Sequence, residues 1–416
     1  MTPVPPAAAA GPAPGPSIGP TAEPGTGGKA HLHALDGLRG AAILGVLLFH
    51  TGHLSGGFLG VDLFFALSGY LITDLLLREV EATGTVSLAA FWGRRIRRLM
   101  PALVTMLAAV TVLVWAAGPP DMVRTTLADG PWVQLNLVNW HLIAESAGYW
   151  DRFGAERVFE HLWSIAVEEQ FYLVWPAVLL VAARTGRRAD RRVAAVAVLA
   201  SAASLVLMVA VVSPADPSRV YTGTDTRAFS LLLGAAVATR PARAVLARAV
   251  GRWAGAAAAV AAAGITATWL LASGADSLWL FTGGLFAHSA ASALLIGLCA
   301  QSPRTPVARA LAWRPLRWFG LVSYSLYLWH WPVIVLLSPE RTGLGGWPLT
   351  ALVCGVATGL AALSKYLIED PIRFRAAWAR GRSGLVAFAA AMIGLAVLWA
   401  ALPAPAPPAV DVTALD

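Results

Sequence analysis

Residues 35–50 read LDGLRGAAILGVLLFH and residues 60–77 read GVDLFFALSGYLITDLLL. With their flanks they form apolar runs over 36–54 and 58–78, close to the ~20 residues that cross ~30 Å of hydrocarbon as a helix. The pattern returns over 99–117, 162–182, 193–212, 225–240, 253–272, 277–299, 319–337, 347–368 and 385–402, of which 225–240 is the shortest. Of the 416 residues 57% are hydrophobic and 13% charged, about half the ~25% charged share of a soluble domain. That composition excludes a soluble enzyme, and also a disordered chain, which needs low hydrophobicity and high charge. The expected fold is all-α: a polytopic membrane protein of about ten or eleven transmembrane helices, with the lipid bilayer as its first partner.

The net charge of +8 does not point to nucleic acid, because the basic residues form no single stripe. They sit in short clusters between apolar runs, and the runs sort them into two sets of 23 and 6. Cytoplasmic loops collect Lys and Arg, so the richer set is read as cytoplasmic. The protein is then expected in the plasma membrane with its N-terminus inside and its C-terminus outside. Residues 1–30, rich in Pro, Ala and Gly, read as a disordered cytoplasmic tail, 31–402 as the membrane domain and 403–416 as an external Pro-rich tail. The stretch 118–161 is too polar to cross, at Asp121, Arg124, Asp151, Arg152, Glu156 and Arg157, and is expected outside, lying on the surface or partly re-entering around Trp132–Trp140. Cys299 and Cys354 lie in apolar runs without metal-ligand spacing, so neither a disulfide framework nor a metal site is expected.

Ionisable groups inside hydrocarbon are costly, and each marks a functional hypothesis. The first run holds Asp36, Arg39 and His50. Eleven residues separate Arg39 from His50, which returns to within ~20° of the same helix face and climbs ~16 Å. A histidine there can act as a general base or serve as packing glue. Asp62 opens the second run, near enough to His50 in sequence for the two to meet on the outer half. After it, FWGRRIRRLMP (91–101) places Arg94 with Arg97 and Arg95 with Arg98 at i, i+3 spacing. Four guanidinium groups so close call for an anion, either a phosphorylated cytosolic ligand or anionic lipid. HLWSIAVEEQFYLVWP (161–176) puts Ser164, Glu168 and Tyr172 on one face, where Glu168 could orient a histidine or take its proton. Glu169 points elsewhere and reads as structural. TDTRAFSLLLGA (224–235) is expected to place Asp225 and Arg227 at the external mouth. In SYSLYLWHWPV (323–333), Trp329, His330 and Trp331 either stack on a sugar or pack in the bilayer, and KYLIEDPIR (365–373) ends a cytoplasmic helix. His288, alone in an apolar run, reads as core.

Taken in order, six of these motifs, from LDGLRG…FH to IEDPIR with TDTRAFSLLLGA left out, resemble the integral-membrane acyltransferase 3 family over about residues 33 to 375. The resemblance implies transfer of an acyl group, acetyl first among acetyl, longer acyl and succinyl, from cytoplasmic acyl-CoA to a hydroxyl of an external glycan or glycoside acceptor. The family's Arg-x10-His motif falls on Arg39 and His50, its arginine motif on the run 94–98, with the pair left open, and its glutamate on Glu168. Acyl-CoA enters as donor, and no bound cofactor or metal is implied. Many members carry a C-terminal hydrolase-like domain, which is not expected here. Catalysis is then expected at His50, with Arg39 and with Glu168 or Asp36 holding its orientation. The donor phosphates are expected at Arg94, Arg95, Arg97 and Arg98, and the acceptor near Asp62, Tyr172, Asp225, Arg227 and His330. A proton-coupled transporter using His50, Asp62 and Glu168 is the alternative.

Overall fold

In the computed structural model the described residues are 32–150 and 157–406, with the side chains of Arg187 and Ala275 also left aside. The tail expected over 1–30, the charged residues Asp151, Arg152 and Glu156, and most of the tail over 403–416 lie outside them. The described chain is helical without a strand. Its helices are α1 His33–His50, α2 Gly60–Thr83, α3 Leu88–Ala117, α4 Pro120–Gln134, α5 Val138–Ala144, α6 Trp163–Ala183, α7 Ala189–Val211, α8 Ser218–Thr222 and α9 Thr224–Ala238. There follow α10 Arg240–Val250, α11 Ala254–Leu271, α12 Leu285–Gln301, α13 Pro306–Leu311, α14 Arg314–Leu336, α15 Pro339–Thr342, α16 Gly346–Leu363 and α17 Gly381–Ala401.

Each of the eleven apolar runs falls on a helix, and nine helical stretches among the described residues are long and apolar enough to cross a membrane. The other two runs are α1, whose 18 residues include Asp36 and Arg39, and α9, whose 15 residues span about 22 Å. Hydropathy places the start of the third run at Met100's neighbour Leu99, but α3 begins at Leu88, where Ser87 accepts the Ala90 amide hydrogen as an N-cap. Arginine forms helix as readily as leucine, so the basic run 94–98 is part of α3 and not a loop before it. Between α3 and α6, α4 and α5 form two short helices at the end of the bundle opposite those arginines. They are tied down by packing of α4 on α17, where Gln134 donates to the Met392 carbonyl and Trp399 donates to Gln134.

Two helix seams position the polar groups. Along α1 and α14 backbone meets backbone: a Cβ at Gly40 would fall on the Leu316 carbonyl and one at Gly320 on that of Asp36, while Gly37 meets the Leu311 carbonyl at the end of α13. Along α2 and α9, Gly69 faces the Leu231 carbonyl and Gly234 that of Ala66. Such close contact, through small residues, is how helices associate where lipid is as apolar as the side chains. Arg39 and His50 of α1 meet Ser323 and His330 of α14, and Asp62 and Ala66 of α2 meet Arg227 and Gly234 of α9, so in both seams positions rise together and each pair is parallel.

Two prolines add acceptors. Pro176 in α6 and Pro332 in α14 carry no amide hydrogen, which frees the carbonyls one turn back, Tyr172 and Leu328. Trp92 donates to the Tyr172 carbonyl at 3.1 Å, and His161 Nε2 donates to that of Leu328 at 3.2 Å. Each interruption of a helix thus becomes a tie between helices.

Candidate active site

The register of α1 on α14 brings Arg39 to Ser323, to which its Nε donates at 3.3 Å, and His50 to His330, with 3.2 Å between His50 Nδ1 and His330 Nε2. The Arg39–His50 spacing therefore places both residues against one neighbour. His50 also lies beside Phe49 and Trp331, with ring centroids 5.0 and 4.9 Å away. His330 is fully buried, and its Nδ1 is 2.6 Å from the Tyr327 carbonyl. His161 packs edge-on to His330 at 5.3 Å. Three histidines from α1, α14 and the turn before α6 therefore meet. His330 is not open for stacking on a sugar, because both of its nitrogens and its whole surface are engaged.

Below this cluster are two cavities with a shared wall. The larger, about 530 Å³, is lined by Arg39, Arg78, Arg94, Arg95, Arg97, Arg98 and Arg373, against the carboxylates of Asp74, Glu168 and Glu169. Arg78 and Arg373 join it from α2 and from the π-helical turn Pro371–Arg375, which no local spacing in the sequence foretold. The carboxylates pair with only part of this set: Asp74 is held by Arg78 and by Arg243, Glu79 pairs with Arg94 at 3.3 Å, and Glu168 accepts hydrogen bonds from the hydroxyls of Ser68 and Tyr172. The Nε groups of Arg95, Arg97 and Arg98 are buried without a hydrogen-bond partner. Buried donors normally have partners, so this vestibule is built for an anion. Arg95 also lies 4.0 Å over the Tyr172 ring, which fixes its plane.

The smaller cavity, about 50 Å³, shares Arg39, Ser68, Ile165, Glu168 and Tyr324 with the vestibule and continues to Ser164 and Tyr327. Its wall is apolar at Val61, Phe64, Phe65 and Ile165. The Ser164 and Tyr327 hydroxyls are 2.6 Å apart, and Tyr327 donates to the His161 carbonyl at 3.0 Å. Arginines, a narrow pocket and the histidine cluster thus follow one another along the bundle.

Several expected placements are corrected. Glu168 hydrogen-bonds two hydroxyls and no histidine, because one turn of α6 separates it from Ser164 and a further three residues from His161. Asp36 stands in the first turn of α1 and His50 in the last, about 21 Å apart along the axis, so Asp36 does not orient His50. Arg227 is not at a mouth: it is fully buried, 2.8 Å from the fully buried Asp62, whose Oδ1 also accepts from Ser230 at 2.8 Å and Ser289 at 3.3 Å. Asp62 is thereby committed to α9 and α12, not to His50. Asp225, two residues from Arg227 and so on another face, pairs with Arg219 at 2.7 Å. His288 is buried as expected but not alone, since Trp269 donates to it at 3.0 Å beside Ser289 and Ser292.

At the end away from the arginines, Arg157 bridges Asp129 at 2.6 Å and Glu145 at 2.5 Å, and His141 stands 3.2 Å from Asp129. Asp129, His141 and Glu145 have the spacing of three metal ligands. The Arg157 guanidinium already supplies the positive charge between the two carboxylates. Burial pushes the Asp129 carboxyl up to about 6, against the pull of Arg157 and His141. The Arg157 carbonyl accepts from Trp331 at 2.8 Å, which joins this network to the ring beside His50.

A family model described as an acyltransferase domain matches residues 32–366. The chain is 36% identical over 353 residues to a putative peptidoglycan O-acetyltransferase, YrhL, of Bacillus subtilis, covering 82% of this chain and 55% of that protein. It is 35% identical over 352 residues to the peptidoglycan O-acetyltransferase OatA of Listeria monocytogenes, covering 83% and 56%, and 34% identical over 351 residues to the O-acetyltransferase OatA of Staphylococcus aureus, covering 82% and 57%. The match thus spans little more than half the length of these relatives. No solved structure matches.

Proposed function

The chain belongs to the acyltransferase 3 family, and from that premise we propose that it is a membrane O-acetyltransferase, moving an acetyl group from acyl-CoA in the arginine vestibule to a hydroxyl of a cell-envelope glycan, as the names of its relatives suggest. Family membership favours this over a proton-coupled transporter. The observation that carries the reading is the adjacency of the two cavities, which share a wall at Arg39, Ser68 and Glu168 and lead from seven arginines to a pocket ending at Tyr327, beside His330 and His50. Coenzyme A carries several phosphate charges that cannot enter hydrocarbon, so they stay among Arg94, Arg95, Arg97, Arg98 and Arg373. The pantetheine arm is neutral and thin enough to follow the narrow pocket inward. The excess of basic residues on the loops at this end supports a cytoplasmic vestibule in the plasma membrane and an acceptor that arrives from outside.

In the proposed step His50 takes the proton of the acceptor hydroxyl while its oxygen attacks the thioester carbonyl. The C–S bond then breaks, and the leaving thiolate receives the proton from His50. Arg39, anchored on Ser323, lies on the donor's path and not at the reacting proton. The pocket of about 50 Å³ suits an acetyl group better than a long chain.

The test is transfer of label from acetyl-CoA carrying a radioactive acetyl group to peptidoglycan fragments by the purified protein in lipid nanodiscs, read as alkali-labile ester. His50→Ala is expected to reduce ester formation by about 10²–10⁴-fold in folded protein. No ester from the wild-type chain, or a wild-type rate from His50→Ala, would overturn the reading.

A further inference from the structure

His330 has two nitrogens and two partners, and the partners decide where its proton lies. The Tyr327 carbonyl, 2.6 Å from Nδ1, can only accept, so Nδ1 carries the hydrogen. A neutral imidazole carries one such hydrogen, which leaves His330 Nε2 a bare acceptor. Across the 3.2 Å to His50 Nδ1, the hydrogen must then belong to His50. The free lone pair of His50 is therefore on Nε2. His161, the other titratable group against His330, is oriented separately, its Nε2 donating to Leu328. Among the described residues no carboxylate bonds to His50 or His330.

We propose that His330 is the positioning residue of the reaction: relayed from the Tyr327 carbonyl, it fixes the tautomer of His50 so that Nε2 is the base, and it receives the Nδ1–H bond that strengthens when His50 becomes charged. The inference rests on the reading of His50 as base. In the step, the acceptor hydroxyl's O–H bond breaks and an Nε2–H bond forms on His50. The Nδ1–H of the resulting imidazolium points at the lone pair of His330, a charge-assisted bond. Loss of the thiolate from the tetrahedral centre returns the Nε2 proton to sulfur, and His330 ends as it began. A carboxylate fills this place beside the histidine of hydrolase triads. Here a neutral ring does so, which avoids burying an anion in the membrane core.

The test compares His330→Gln, whose side-chain carbonyl can still accept from His50, with His330→Phe, which keeps the ring and removes the acceptor. With acetyl-CoA varied and peptidoglycan fragments fixed, His330→Phe is expected to lower kcat about 100-fold while the KM for acetyl-CoA stays within about twofold. His330→Gln should recover at least about tenfold of that loss. If the Phe variant does not accumulate, His330→Leu takes its place in the comparison. Equal losses in the acceptor-free and Gln variants, or a loss seen only in KM, would leave His330 a packing residue and overturn the proposal. A dead His50→Ala beside a fully active His330→Phe defeats this inference alone, whereas an active His50→Ala defeats the acetyl-transfer reading beneath it.

Discussion

Gly40 and Gly320 press α1 onto α14 much as Gly69 and Gly234 press α2 onto α9, and each seam joins two polar side chains from distant parts of the sequence. On α2 and α9 the pair is Asp62 with Arg227, two opposite charges with no exposed surface. On α1 and α14 it is His50 with His330, two rings that need no net charge. The Asp62–Arg227 pair is sealed in the core, with Ser230 and Ser289 donating to Asp62 Oδ1, while Asp62 Oδ2 and the Arg227 guanidinium nitrogens make no hydrogen bond among the described residues. The histidine pair leaves one nitrogen of His50 unspent beside a chain of cavities. One packing device therefore holds two kinds of pair: a buried ion pair that joins helix neighbours, and a neutral pair that keeps one nitrogen open for the proposed chemistry.

The contrast is easiest to break at Arg227. Arg227→Met strands the Asp62 carboxylate in the core and is expected to cost about 3–5 kcal/mol, read as a lowered thermal unfolding midpoint in detergent. Asp62→Leu combined with Arg227→Met should recover most of that loss, because it removes both buried charges together. A double variant that is stable but fails to form ester would give the pair a part in the reaction and erase the distinction. The vestibule arginines test the opposite case, charges with no partner of their own. Neutralising Arg97 and Arg98 together to Gln should raise the KM for acetyl-CoA about 10–100-fold, with stability unchanged or improved as repulsion is relieved. An unchanged KM would remove the phosphate role from these two residues.

The smallest effect is expected at Asp129, where a buried charge meets solvent pH. Its carboxyl titrates near 6 in the folded protein against about 3.9 in an unfolded chain. The folded state holds this proton more tightly, so the group's contribution is full below about pH 4 and is lost as pH rises through about 6, on the order of 1–3 kcal/mol. Asp129→Asn should flatten that slope in unfolding curves taken between pH 4 and 7. Equal slopes in the two proteins would place the titrating group elsewhere.

The sequence carried the helices and all four members of the two polar pairs, but not which residue meets which. Every apolar run became a helix, because a backbone in hydrocarbon must pair internally and runs of about 20 residues do so as helices, where barrel strands need only about 10. The i, i+11 spacing of Arg39 and His50 put them on one face, and the arginine run stood out by its density. The partners of those groups could not be read in the same way. A helical period gives the direction of a side chain but not which helix lies there: Arg227 is 165 positions from Asp62, and Arg373 reaches the vestibule from the far end of the domain. The same limit made Glu168 look like the natural neighbour of a histidine, when α6 turns it toward Ser68 and Tyr172. The prolines after Trp175 and Trp331 were the overlooked local signal, since each marks a carbonyl available to another helix.

The join between α1 and α14 also has a consequence for biosynthesis. His50 and His330 are separated by 280 positions, and ribosomes add roughly 5–20 residues per second. For roughly 15–60 s after its first helix is made, a nascent chain therefore carries the arginine run of α3 but no partner for His50. The partner of the proposed base arrives only with the ninth of the eleven apolar runs, α14, late in membrane insertion. Until then the growing chain lacks the ring that would orient His50, by the order in which its helices are born.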